Sequence, residues 1–78
     1  MRRAVPARSH LIRSAAILLA SRIRIALPYR PATSADLTAV AAALADLSAE
    51  GLPNDDDAVE ELRQLEQTLE ILVPPAQR

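Results

Sequence analysis

The chain has no cysteine, no lysine, no tryptophan and no phenylalanine, a single glycine (Gly51) and a single aromatic residue (Tyr29). Without cysteine, neither disulfides nor thiolate metal sites can staple it. One glycine cannot build a loop that cradles phosphate. A lone tyrosine gives no series of platforms on which successive single-stranded bases could stack. Long apolar runs are missing too: the longest uncharged stretch near the N-terminus is Ser14–Ser21, far short of the ~20 residues a bilayer span needs. A secretory signal fits poorly, because Arg13 and Arg22 close in on the apolar stretch from both sides, and Arg2-Arg3 lacks the flanks of a twin-arginine signal. The expected location is cytoplasmic. A mitochondrial-type presequence is the targeting signal that residues 1–35 fit best, since they are Arg-rich and acid-free.

Carboxylates are also missing from the first half. Residues 1–35 carry Arg2, Arg3, Arg8, Arg13, Arg22, Arg24 and Arg30 and no acid, a formal charge of +7. Residues 36–78 hold all ten carboxylates against Arg63 and Arg78, a formal charge of −8, so the net charge of −1 conceals a strongly dipolar chain. Such a split points to a charged partner, a targeting segment, or one half lying against the other.

What is plentiful is aliphatic: sixteen alanines and twelve leucines among 78 residues. These are the strongest helix formers, and strand-favouring aromatics are scarce, so the fold class expected is all-α. A chain this short makes one small domain, hiding roughly 60–65% of its unfolded surface. Arginine without lysine beside so much alanine reads as GC-rich, bacterial codon usage rather than as a functional signal.

Spacing predicts a single domain over residues 9–73, with a flexible basic N-terminus at 1–8 and a flexible tail at 74–78. The first helix, 9–27, is capped by Ser9, carries Ile12, Ala16, Leu19, Ile23 and Ala26 on one face, and stops at Pro28. Residues 22–27 also alternate with period two, but a lone strand has no sheet to join, so the helix reading prevails. Thr33-Ser34-Ala35-Asp36 resembles a capping box for a second helix over 34–50, with Gly51 as its left-handed terminator. A third helix over 55–73 is capped by Asn54 and stopped by Pro74-Pro75, with Asp55, Asp56 and Asp57 in its first turn at the positive end of the helix dipole. Leu37, Val40, Leu44 and Leu47 face Ala58, Leu62, Leu65, Leu69 and Leu72, which makes helices two and three an antiparallel hairpin with the basic helix packed across it.

The first helix has more apolar surface than a stripe of slightly over ~100° requires. On a ~100° wheel Leu11, Leu18 and Ile25 share one flank, while Ile17 falls between Arg24 and His10. Burying Ile17 and Ile25 alone would be worth roughly 3–6 kcal/mol, a large share for so small a domain. Leu11, Ile17, Leu18 and Ile25, framed by Arg13, Arg22 and Arg24, are therefore the candidate partner-binding surface. A strip of small residues on the second helix (Ala35, Thr38, Ala42, Ala45 and Ala49) reads as filler of high helix propensity before it reads as a docking groove for another helix, and it is also a place where the first helix can pack.

Other chemistry fails on inspection. His10 lacks metal co-ligands, and beside Ser9 it forms no triad, because neighbouring helical residues diverge by ~100°. Aligned as a calcium loop from Asp55, the acidic cluster puts Val59 at a ligand position and Glu60 where the glycine belongs. Glu60, Glu61, Glu66 and Glu70 read as a solvated face, with Arg63 bridging Glu60 and Glu66. No catalytic residue, metal ligand, cofactor site or small-molecule substrate is expected. The sequence thus points to a small non-enzymatic interaction module, an adaptor, regulatory or assembly subunit. Its partner would be another protein or a second copy, with the basic helix meeting an acidic helix three of its neighbour. The alternative is a basic N-terminal arm that binds nucleic acid or an anionic membrane surface without sequence specificity.

Overall fold

The computed structural model describes residues 7–77, with the side chains of residues 8–77. Three helices, α1 (Ala7–Ala26), α2 (Ser34–Ala49) and α3 (Asp57–Leu72), run up, down and up, each packing on the other two. A short 3₁₀ turn, Pro75–Gln77, follows α3. The fold is all-α, and among the described residues there is no strand.

The core is a leucine seam between α2 and α3, closed on its third side by α1. Val40, Leu47, Ala58, Leu62, Leu65 and Leu69 are wholly buried. Leu37 and Leu44 lie against this cluster half-buried. Among the described side chains of α1, those of Ala16, Ala20 and Ile23 are buried. Two methyl-sized contacts let the α1 backbone approach the hairpin closely.

Local chemistry fixes the helix ends. Thr33 caps α2 in a capping box: its hydroxyl accepts from the Asp36 backbone N–H, and the Asp36 carboxylate accepts from the Thr33 N–H at 2.9 Å. At the other end Gly51 adopts φ 80°. The Gly51 N–H donates to the Ser48 carbonyl and the Leu52 N–H to that of Leu47, the two bonds of a Schellman motif. A Cβ at Gly51 would meet nothing within 4 Å, so only the left-handed backbone disfavours other residues. Gly51→Ala is accordingly expected to cost about 1 kcal/mol, and Gly51→Asn less, in urea unfolding followed by circular dichroism. Equal stability of all three proteins would show that this turn does not hold its left-handed geometry in solution.

Several boundaries differ from those the sequence predicts. The first helix begins at Ala7, so Ser9 lies inside it and its hydroxyl donates to Glu50 Oε1 at 2.8 Å instead of capping. Helix three starts at Asp57 rather than residue 55. The cap is Asp56, not Asn54, because a turn closed by the Asp56 N–H on the Pro53 carbonyl delays the helix. Asn54 Oδ1 accepts from Arg63 Nη2 at 3.0 Å, which diverts Arg63 from the expected bridge between Glu60 and Glu66. Leu72, placed on the seam by its spacing, is half exposed, and Val73 is buried in its stead. With Pro74 ending the helix, Val73 takes an extended backbone (φ −93°, ψ 115°), which breaks the helical spacing at that point.

Candidate interaction surface

The structure keeps Leu11, Leu18 and Ile25 in solvent, 70, 52 and 67% exposed, and leaves Ile17 at 39%. Their positions follow from the register that seats Ala16, Ala20 and Ile23 in the core. Leu11, Leu18 and Ile25, seven residues apart, then form a nearly straight row along the outer face of α1. Ser14 and Ser21 are interleaved on that face and exposed. Ile17 turns toward α3, where with Ile25 it walls a shallow groove of about 330 Å³ that also includes Ser21, Arg24, Asp57 and Glu61.

The arginines are placed less simply. Arg24 Nε donates to Glu61 Oε2 at 2.6 Å across this groove. Arg13 does not frame the outer face. Its Nε lies 3.2 and 3.3 Å from the two oxygens of Asp56, while the same carboxylate caps α3 by accepting from the Ala58 N–H at 2.9 Å. The Ala58 hydrogen bond, aided by Arg13 and opposed by partial desolvation, holds the Asp56 carboxyl below the usual carboxylate range. Arg8 Nε reaches Glu50 Oε2 at 3.1 Å. Arg22 is exposed and has no acidic partner among the described residues.

The fourth ion pair governs the connection between α1 and α2. Arg30 grips Asp36 with both terminal nitrogens, at 2.8 and 2.9 Å. The same carboxylate serves the capping box, so guanidinium and backbone N–H converge on one buried group. The Arg30 hydrogen bonds, opposed by burial and reinforced by the Thr33 N–H, lower the Asp36 pKa.

Of the readings that the charge split allows, the structure shows one half lying against the other: α1 pairs with acids of its own chain. The ion pairs link residues 37 to 43 positions apart or more locally across the α1–α2 turn. No local spacing rule reports such pairs; the signal available was the charge split itself. Arg2 and Arg3 lie outside the described residues.

His10 is exposed on α1. Among the described residues, no group of three or more His, Asp or Glu side chains is disposed to hold a metal ion. No described helix is long and apolar enough to cross a membrane. The small-residue strip of α2 is mostly exposed: α1 packs beside Ala39 and Ala43, while Ala35, Ala42, Ala45 and Ala49 remain on the surface. No protein-family model matches the chain, and neither a curated protein nor a solved structure matches it.

Proposed function

We propose that the protein is a small non-enzymatic helical interaction module that docks through the outer face of α1 and associates with itself. The observation that carries this reading is the row of Leu11, Leu18 and Ile25, with Ile17 beside it, left in solvent while a complete core forms without them. These four side chains are on average rather more than half exposed. Covering them in two copies would gain about 7–14 kcal/mol on the transfer scale for aliphatic side chains. Association costs ~4–15 kcal/mol in lost freedom. A surplus of about 4–8 kcal/mol, which the upper part of that gain leaves over the lower part of the cost, corresponds to reversible self-association in the micromolar to millimolar range.

The basic-arm reading has less support. Arg8, Arg13, Arg24 and Arg30 are already engaged by carboxylates of the same chain. Contacts to phosphate from these positions would have to displace those carboxylates, which removes much of the electrostatic gain.

Sedimentation velocity across that concentration range tests the proposal, with Leu18→Glu as the decisive variant. The wild type should gain mass with concentration, and Leu18→Glu should stay monomeric with unchanged helical circular dichroism. Because Leu18 is half exposed in the single copy, its replacement should change monomer stability by no more than ~0.5 kcal/mol. A wild type that remains monomeric throughout would refute self-association.

A further inference from the structure

We infer that the second copy docks antiparallel, α1 against α1, about a two-fold axis at Leu18, with Arg22 of each copy meeting Asp46 of the other. This rests on the proposed role of the α1 outer face and adds its geometry.

The argument begins with the charges that folding leaves over beside that face. Along α1, own-chain pairing engages Arg8, Arg13 and Arg24. Arg22 remains, on the α2 side of the Leu11–Leu18–Ile25 row. Asp46 of α2 is exposed on that same side, beside a shallow groove with Ile12, Ala15 and Ala42. Its carboxylate has no ion-pair partner among the described residues.

Within one copy these two cannot meet. The Ser9–Glu50 hydrogen bond fixes the antiparallel register of α1 and α2, which puts Asp46 level with residue 13. Nine residues of helix, about 13 Å at ~1.5 Å per residue, separate that level from Arg22.

A two-fold axis at Leu18 removes the separation. Position 22, four residues beyond the axis, comes level with position 14 of the other copy, one residue from the level of Asp46. Antiparallel pairing also brings the α2 flanks of both copies together, as the corresponding flanks meet in any antiparallel helix pair. Leu18 then faces its own symmetry mate, and Leu11 faces Ile25 at both ends of the row. Exposed Ser14 and Ser21 are small enough not to hold the helices apart. A parallel pairing would instead set the α2 flank of one copy against the α3 flank of the other. Arg22 would then lie on the flank that carries Arg24 with Asp57 and Glu61, and Asp46 level with Arg13, which Asp56 already engages, so the two unpaired charges would not meet each other. The aliphatic row supplies contact area in either orientation; the leftover charges select the antiparallel one.

The full chain has no cysteine, so introduced thiols report the register directly. Leu11→Cys and Ile25→Cys proteins, mixed and mildly oxidised, should form the mixed 11–25 disulfide in preference to 11–11 or 25–25. At low salt Arg22→Glu should weaken association about tenfold, as should Asp46→Arg, and the double variant should recover most of the loss. Preferential 11–11 and 25–25 disulfides in a dimer still abolished by Leu18→Glu would overturn the antiparallel geometry while leaving the α1 face as the docking surface. A charge swap without recovery would overturn the Arg22–Asp46 contact. A dimer indifferent to Leu18→Glu, or a protein that never associates, would overturn this inference together with the reading beneath it.

Discussion

Leu65→Ala is expected to abolish most of the cooperative thermal unfolding of this protein. Leu65 is wholly buried in the cluster that also holds Val40, Leu62 and Leu69. Truncating such a leucine removes its transfer free energy and leaves a cavity, a loss of about 2–5 kcal/mol. A core of this size seldom supplies more than ~3–5 kcal/mol, and without cysteine there is no disulfide in reserve. The melting midpoint, read by circular dichroism, should therefore fall by at least ~10 °C or the transition should vanish. Leu18→Ala, on the outer face of α1, is the control: at concentrations below self-association its melt should barely move. Similar melts for both variants would mean that the leucine seam is not the core.

The second large effect concerns Asp36. Replacing it with alanine removes the acceptor of the Thr33 N–H and releases both Arg30 nitrogens. A lost cap and a lost charge-assisted hydrogen bond, discounted because Arg30 is partly solvated, together predict a loss of about 1–3 kcal/mol. Asp36→Asn keeps an acceptor for Thr33 and should recover part of it. The same carboxylate makes stability depend on pH. Its pKa in the folded protein is lowered, chiefly by Arg30. The unfolded chain therefore takes up a proton at higher pH than the folded one. The stabilisation is complete above the unfolded pKa near ~4 and disappears as pH falls through the lower native value. Asp56 shifts in the same direction and adds to the acid sensitivity. Urea titrations from pH 6 to 2 should show stability falling in the wild type. The slope should be shallower in Asp36→Asn, and an unchanged slope would show that Arg30 does not hold Asp36 in solution.

How far the sequence could be read depended on the range of each interaction. Helix existence was legible because Leu37, Val40, Leu44 and Leu47, and again Leu62, Leu65 and Leu69, repeat at three and four residues, and helical geometry alone joins them into a seam. Thr33, Asp36 and Gly51 were legible because a cap involves only its immediate neighbours. The solvent-facing aliphatics of α1 were legible too, since one helix cannot bury two faces against one hairpin. The cap of α3 was not: Asn54, Asp55 and Asp56 all suit the position, and a turn from Pro53 decides among them. The exchange of Leu72 for Val73 depended on where a proline stops the helix. Arg13 and Arg24 were drawn into the candidate surface because their partners, Asp56 and Glu61, lie about forty residues away. Pairs at that distance require a tertiary register that periodicity does not contain.

The long span of those pairs bears on how the protein is made. Arg8 waits for Glu50, Arg13 for Asp56 and Arg24 for Glu61. Translation adds about 5–20 residues each second. The cationic helix therefore emerges several seconds ahead of every carboxylate that will hold it, and ahead of Leu65, without which the interior cannot close. Before Glu50 emerges, Asp36 and Asp46 are the two carboxylates between Arg8 and Glu50, against Arg8, Arg13, Arg22, Arg24 and Arg30. The finished fold quiets a charge that this stretch of the growing polypeptide carries in excess beside the polyanionic surface of the ribosome.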